Sequence, residues 1–300
     1  MLTQVLQRLL AKPETARAPL PEVLDLADEP LLRVIRPGYV DGFSMLVKST
    51  QGLFIVNRHD TGVGFQLTTY GAYSPEEVKV MQQLVRASPP DPVVLDIGAN
   101  IGIVSLALAR AAGPGGLVHA FEAQRVIFHM LAGNMALNSM ENVHCHFMAV
   151  GAKAGSARIP RLDYHKHATF GSLELNREQQ SDLGQQAKGG EFDEVRMDSI
   201  DAMALPRVDM IKIDVEGMEA DVLAGAERTI RTHRPLMYVE HLKSGDVALW
   251  RILSELGYVL YEAYCNFVCI PVGDPRIGQL FGAQPAWQPG AAQLASSTQP

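Results

Sequence analysis

A short segment at residues 93–102, VVLDIGANIG, combines an acid, an amide and two glycines. Its apolar start is typical of a buried strand that carries Asp96 to the end of a sheet, and a helix is predicted from Gly102. Gly98 and Gly102 permit a tight turn with the backbone close to a ligand. The free N–H groups of the helix start face the same point. Because open α/β sheets bind ligands at such junctions, we predict a cofactor site. The predicted contacts are Asp96, Gly98, Asn100 and Gly102.

The glycine spacing restricts which cofactor fits this turn. It is G-x-N-x-G, whereas dinucleotide sites need G-x-G-x-x-G to admit a pyrophosphate. Glu122 ends the next predicted strand, where a carboxylate can accept hydrogen bonds from both ribose hydroxyls of an adenosine. The following strand ends near Ala149, which is placed beside the adenine. These features predict a nucleoside-type cofactor without phosphates, and a glycine turn without any ligand stays the alternative.

The pattern from residue 92 onward alternates apolar strands with helices. Such alternation predicts an α/β fold with parallel strands and crossover helices, and the last two strands suit an antiparallel hairpin. The predicted strands are 92–97, 116–122, 142–150, 208–214, 235–240, 258–263 and 267–271, and the predicted helices are 102–112, 125–139, 219–232 and 246–256.

Composition shifts divide the chain into regions. Residues 1–72 are predicted to form a short amphipathic helix, a proline-rich connection and a few antiparallel strands, as a β-rich extension. Residues 73–282 are predicted to form the cofactor-binding domain, which starts on a helix capped by Ser74. A polar insertion at 152–193 interrupts it, and the low-complexity tail at 283–300 is predicted to be disordered.

Charge and composition exclude several classes of protein. The 300 residues carry a formal net charge of -7, which disfavours a nucleic-acid partner. Three scattered cysteines do not form a disulfide framework. No apolar run approaches the ~20 residues that span a bilayer, and the start lacks a signal-peptide pattern. We therefore expect a cytoplasmic protein that does not bind a membrane. Two copies can pair through the amphipathic N-terminal helix to form a homodimer.

Seven separated segments resemble the FkbM-type methyltransferases, in conserved order over about residues 70–260. The resemblance implies a class I methyltransferase fold, a Rossmann-like, mostly parallel seven-stranded sheet with helices on both faces. It also implies S-adenosylmethionine as donor and a hydroxyl acceptor on a small natural product or sugar. Two positions depart from the family pattern: prolines are missing after Glu122, and His241 directly follows Glu240 where the family often has E-x-H. On an extended chain this single-residue offset turns the His241 side chain to the opposite face. The segments are VLDIGANIGIVSL, FEAQ, NMALN, AVG, MDSID, VDMIKIDVEGMEADVLAGA and PLMYVEH.

Methyl transfer to an alcohol needs alignment and help in removing the hydroxyl proton. Asp214 and Glu216, in KIDVEG, end a predicted strand, and period-two spacing aims both carboxylates the same way. Together with His241 they are the candidate catalytic residues, with His241 as a further candidate base. The two carboxylates can act as base and orienter, bind the methionine ammonium, or hold a divalent metal with His241. Metal is not favoured because neither an oxygen set nor a His/Cys set is complete. As the alternative, Asp214 caps the next helix and Glu216 complements its dipole.

Three assignments of function compete. The first is the O-methyltransferase, and N-methylation is a variant of it. The second is an NAD-dependent oxidoreductase, disfavoured by the glycine spacing, and the third is a non-catalytic cofactor-binding module on the same fold. The acceptor is predicted to meet the N-terminal strands and the insertion, with His165 and His167 within its reach. Tyr70 and Tyr73 are predicted to close over the cofactor.

Overall fold

The computed structural model describes residues 42–173, 187–282 and 284–290. The predicted N-terminal helix and proline-rich connection lie outside the described residues, as does the centre of the insertion.

Twelve strands and eight α-helices are described. In chain order they are β1 Ser44–Lys48, β2 Leu53–Asn57, α1 Val63–Tyr70, α2 Pro75–Arg86, β3 Val93–Ile97, α3 Ile103–Ala112, β4 Leu117–Glu122, α4 Arg125–Leu137, β5 Val143–Phe147, β6 Ala149–Val150, β7 Gly155–Leu162, β8 Ala187–Asp198, β9 Met210–Ile213, α5 Glu219–Gly225, α6 Glu227–His233, β10 Leu236–Glu240, α7 Asp246–Glu255, β11 Tyr258–Ala263, β12 Asn266–Pro271 and α8 Arg276–Leu280.

The main sheet has seven strands in the order β5-β4-β3-β9-β10-β12-β11. All neighbouring pairs from β5 to β10 are parallel, and β12 is antiparallel to both β10 and β11. The predicted mostly parallel seven-stranded sheet and its closing hairpin are confirmed. Chain order reverses beside β3, because β4 and β9 lie on its two sides, and this is where open sheets leave a ligand crevice.

Helices cover both faces of this sheet, as predicted. On one face, Val94, Met210 and Leu236 pack against α2, α3 and α4. On the other face, Leu95 and Ile211 pack against α5, α6 and α7. The sheet is therefore buried on both sides, which explains why its strands are continuous apolar runs without alternation.

The third predicted strand, 142–150, is split in two. Its first part is β5 in the main sheet, and its second part is β6, which pairs with β8 in a separate three-stranded sheet. The chain bends between them, where Met148 N–H donates to the carbonyl of His146 at 3.1 Å. The described ends of the insertion form the strands β7 and β8 of this small sheet, where a polar loop was expected.

The predicted helix 219–232 is likewise divided, with the break at Ala226. Beside the break, Gly225 lies against the carbonyl oxygen of Gly151, which a Cβ would approach to 2.1 Å. The close contact between this helix and the end of β6 depends on the absence of a side chain at Gly225.

The N-terminal strands form the expected antiparallel hairpin of β1 and β2, but the next apolar piece is the helix α1, where a strand was predicted. Asp60 explains the difference, since its carboxylate accepts the N–H groups of Gly62 at 3.0 Å and Gly64 at 2.7 Å. Such contacts satisfy free N–H groups at a helix start. Helix α2 begins at Pro75 as predicted, but the Ser74 side chain makes no capping hydrogen bond.

Asn134 of α4 and Asn138, which directly follows this helix, attach the hairpin to the main body. Asn134 accepts from Ile55 N–H at 2.6 Å and donates to its carbonyl at 3.1 Å. Asn138 does the same with Leu53, at 3.1 and 2.7 Å. Both amides therefore pair with the backbone of β2 as a neighbouring strand would.

At the other end, residues 284–290 of the predicted tail are described. Trp287 donates its backbone N–H to the carbonyl of Leu260 at 2.7 Å, and its ring lies 4.9 Å from that of Phe267. This packing was not expected from a disordered tail. Within the described residues, none of the helices combines the length and hydrophobicity that a bilayer-spanning segment requires.

Candidate active site

A cavity of about 330 Å³ opens at the carboxyl edge of β3, β4 and β9. This volume lies at the lower end of the range for small-molecule sites. Residues after each of the three strands line it, and so do residues of α1 and of the insertion.

The glycine turn after β3 forms the floor of the cavity. Gly98 has φ +80, and a Cβ there would lie 1.8 Å from the carbonyl oxygen of Asp214. Its own carbonyl accepts from Lys212 Nζ at 2.6 Å. Only glycine fits this turn, because any side chain would collide with the backbone after β9.

Asp96 lies beneath the turn and does not line the cavity. Its carboxylate accepts from the Ser105 hydroxyl at 2.6 Å and lies 3.3 Å from Lys212 Nζ. Burial opposes the charge on Lys212, but the charges of Asp96 and Asp214 outweigh it and raise the pKa of this lysine. Gly102 also stays outside the cavity, since it packs against Leu131 and Met135 of α4. These two predicted contacts therefore support the turn from behind.

Glu122 and Asn100 do line the cavity. The buried Glu122 carboxylate accepts the N–H groups of Asn100 at 2.9 Å and Gln124 at 2.7 Å, one on each oxygen. Burial raises the pKa of Glu122 to about 7, while the backbone N–H donors and the charge of Lys212 act in the opposite direction. Each oxygen keeps a further lone pair for a ligand hydroxyl. Ala149, between Met148 and Val150, lines the same end of the cavity.

Asp214 and Glu216 lie together at the opposite end. The Asp214 side chain is 39% exposed and 3.6 Å from Lys212 Nζ. Glu216 is 17% exposed and forms an ion pair with Lys243. Burial, and then the charge of Asp214, raise the pKa of Glu216.

The helix-capping alternative for these two acids does not match the geometry. Strand β9 ends at Ile213, and α5 starts only at Glu219. The Glu219 carboxylate itself accepts the N–H groups of Val215 at 3.0 Å and Gly217 at 3.2 Å. Asp214 and Glu216 therefore remain available to the cavity.

His241 is not brought to this site. Its ring stacks on Phe267 at 4.3 Å and does not line the cavity. Burial lowers its pKa, and Nε2 is buried without a hydrogen-bond partner in the described part of the chain. The neighbouring Glu240 is close enough to the acids for their charges to act on it, and burial with the charges of Asp214 and Glu216 raises its pKa to about 8.

The structure adds lining residues that the sequence reasoning missed. Gln66 of α1 and Thr169 and Ser172 of the insertion complete the wall opposite the sheet. The segments before α1 and after β7 are joined by a bridge from Asp60 to Ala168 and by the Thr61 and Thr169 hydroxyls at 3.0 Å. His165 and His167 lie outside this wall, against Phe43 and His59. Tyr73 lines the cavity and the exposed Tyr70 does not.

Among the residues that the structure describes, no group of three or more His, Cys, Asp or Glu side chains is placed to hold a metal ion.

Comparison with known proteins identifies the domain around this cavity. The Methyltransferase FkbM domain family matches residues 96–260. Methyltransferase sdnD of Sordaria araneosa is 29% identical over 165 residues, which cover 46% of this chain and 62% of that protein. Methyltransferase 1 of Beauveria bassiana (strain ARSEF 2860) is 27% identical over 151 residues, with coverages of 46% and 60%. The match thus spans less than two thirds of either relative.

Solved structures give weaker likenesses. Methyltransferase FkbM from Methylobacillus flagellatus KT is 19% identical with a TM-score of 0.41, covering 60% of this chain and 44% of that one. The O-methyltransferase TomG from Streptomyces achromogenes, solved in complex with SAM, is 15% identical with a TM-score of 0.34, covering 64% of each chain.

Proposed function

The chain belongs to the FkbM methyltransferase family, whose match takes in more than half of its 300 residues, and on this premise we propose that it methylates a hydroxyl group with S-adenosylmethionine. The acceptor is a small natural product or a sugar. The observation that carries the proposal is a single cavity with Glu122 at one end, Asp214 and Glu216 at the other, and the Gly98 turn between them.

The residues present fit the cofactor. Glu122 can accept both ribose hydroxyls, because each of its oxygens has one N–H donor and one remaining lone pair. Met148, Ala149 and Val150 offer an apolar surface for the adenine. The Asp214 carboxylate, at the far end, can accept hydrogen bonds from the methionine ammonium. Gly98 leaves the floor between these ends open to backbone contact.

The bound cofactor supplies a methyl group on a positively charged sulfur. Glu216 is the proposed base that takes the proton of the acceptor hydroxyl. Its raised pKa makes it a better proton acceptor than an exposed glutamate. Lys243 opposes that effect through its ion pair with the carboxylate. Asp214 orients the amino-acid end, so the two acids have separate tasks, and much of the acceleration comes from alignment.

Binding calorimetry with S-adenosylhomocysteine and with NAD+ tests the cofactor assignment. We expect binding of S-adenosylhomocysteine alone, and binding of NAD+ alone would establish the oxidoreductase alternative. A screen with isotope-labelled S-adenosylmethionine and hydroxylated metabolites then tests transfer. A protein that binds the product yet methylates neither alcohols nor amines would be the non-catalytic module, and full activity in EDTA would remove a metal requirement.

A further inference from the structure

Tyr73 lies outside the segment matched by the family and yet lines the cavity. It directly precedes α2 and is partly buried. Burial raises the pKa of its hydroxyl, and the charges of Asp214 and Glu77 add to the effect. The hydroxyl therefore stays protonated as a donor. It makes no hydrogen bond within the described part of the chain, and it is therefore available to a ligand in the cavity that Tyr73 lines.

The hairpin turn holds Tyr73 in position. The Gln51 side chain donates through Nε2 to the Tyr73 carbonyl at 2.9 Å and accepts the Tyr73 N–H at 2.7 Å. Two more hydrogen bonds join Thr50 to the carbonyl of Gly71, at 2.9 and 3.1 Å. Gln51 itself does not line the cavity. Its amide fixes the Tyr73 backbone on both sides, so the direction of the tyrosine ring depends on a residue outside the cavity.

The end of the cavity beside Tyr73 carries Asp214 and Glu216. An α-amino acid group has an ammonium, which can donate hydrogen bonds to Asp214, and a carboxylate, which requires hydrogen-bond donors. Lys212 lines the cavity too, but its three N–H groups face Gly98 O at 2.6 Å, Asp96 at 3.3 Å and Asp214 at 3.6 Å. The Tyr73 hydroxyl has no such prior partner.

We propose that the Tyr73 hydroxyl binds the α-carboxylate of the methionine part of the cofactor, and that Gln51 is the positioning residue for Tyr73. The proposal rests on the proposed function, since it assigns one contact of the same cofactor. It makes the N-terminal hairpin part of the methyltransferase site.

Calorimetry with two probes tests the contact without knowledge of the acceptor. S-adenosylhomocysteine has the amino-acid group, and 5′-methylthioadenosine keeps the adenosine and the sulfur but lacks that group. Tyr73→Phe should weaken binding of the first by about tenfold or more, as for a hydrogen bond to a charged group, and leave the second unchanged. Tyr70→Phe, on an exposed ring outside the cavity, is the matched control and should change neither.

Gln51→Glu tests the positioning role, because it keeps the acceptor for Tyr73 N–H and removes the donor to its carbonyl. It should weaken the binding of S-adenosylhomocysteine but not that of 5′-methylthioadenosine. The double variant with Tyr73→Phe should bind S-adenosylhomocysteine no more weakly than Tyr73→Phe alone. Melting temperatures without ligand report whether each variant is folded.

An unchanged affinity of Tyr73→Phe for S-adenosylhomocysteine would overturn the inference, as would equal weakening of both probes. Additive losses in the double variant would overturn the role of Gln51. Failure of the native protein to bind either probe would instead refute the proposed cofactor itself.

Discussion

The two ends of the cavity hold carboxylates in opposite ways. At one end Glu122 is buried and held by two backbone N–H groups. At the other end Asp214 and Glu216 are more exposed and lie beside lysine side chains. A carboxylate fixed by the backbone suits recognition of one rigid group. Carboxylates paired with side chains can shift, which suits an end where an acceptor must enter and a proton must leave. The difference supports the proposed division, in which Glu122 only binds the cofactor, whereas the second end binds its amino-acid group and also carries the proposed base.

The largest effect is expected at the glycine that separates the two ends. Gly98→Ala would push a Cβ into the carbonyl of Asp214, so both ends would move and S-adenosylhomocysteine binding should fall by more than about 100-fold, roughly 2.7 kcal/mol. Calorimetry measures this. Gly278→Ala, where a Cβ meets nothing within 4 Å, is the matched control. Retained affinity in Gly98→Ala would mean that the turn is not the cofactor floor.

At the chemical end, Glu216→Gln should lower kcat by about 10²- to 10⁴-fold, as for loss of a general base. The affinity for S-adenosylhomocysteine should stay within a few-fold, since Asp214 and Glu122 are retained. Single-turnover methyl transfer to an acceptor found by the screen separates the two quantities. Equal losses in affinity and in rate would mean that Glu216 binds the cofactor and is not the base.

At the binding end, pH should modulate affinity. Burial raises the pKa of Glu122 to about 7, and only the ionised carboxylate can accept both ribose hydroxyls. Affinity for S-adenosylhomocysteine should therefore rise about tenfold between pH 6 and pH 8. Calorimetry across this range should show the rise in the native protein and a smaller one in Glu122→Gln. A pH dependence that Glu122→Gln leaves intact would place the titrating group elsewhere.

The raised pKa of Glu122 also makes the stability of the ligand-free protein depend on pH. The folded-state pKa of Glu122 lies above the ordinary value of 4.5, so the ligand-free protein gains stability from this group below about pH 4.5. That contribution is lost as the pH rises through about 7. Through Glu122, acidic pH therefore increases the stability of the ligand-free protein, whereas neutral pH increases its affinity for the cofactor.

The smallest effect is expected for His241, which belongs to neither end. His241→Gln should leave kcat within about twofold, because its ring faces Phe267 and not the cavity. Activity assays beside Glu216→Gln measure the contrast. A loss as large as that of Glu216→Gln would restore His241 as the base.

Local patterns in the sequence were enough to predict the sheet and the position of the glycine turn. Apolar runs and the glycines that end them are signals contained within about ten consecutive residues. The predicted β3, α3 and β4 therefore agree with the structure to about one residue. The opposite orientation of His241 also followed from its single-residue offset from Glu240. By contrast, Asp96 was predicted to contact the cofactor. Its position at a strand end does not reveal that its carboxylate pairs with Lys212 and Ser105 beneath the turn.

The missed features depend on contacts between distant residues. The amide of Gln51 meets Tyr73 only after the hairpin has packed on α4, and Asn134 and Asn138 meet β2 across about 80 residues. The split of residues 142–150 depends on pairing with β8, nearly 50 residues later. No local pattern encodes such partners. The insertion was expected to meet the acceptor, but for the same reason its individual lining residues Thr169 and Ser172, and Gln66 of α1, were not predicted.

The asparagine pair at the end of α4 also bears on aggregation. In a two-stranded hairpin each strand has an outer edge with unpaired N–H and C=O groups that another chain can extend. Here β1 occupies one edge of β2, and the side-chain amides of Asn134 and Asn138 occupy the other at Leu53 and Ile55. A helix that presents two amides one turn apart therefore protects this edge from intermolecular strand addition, without a further strand.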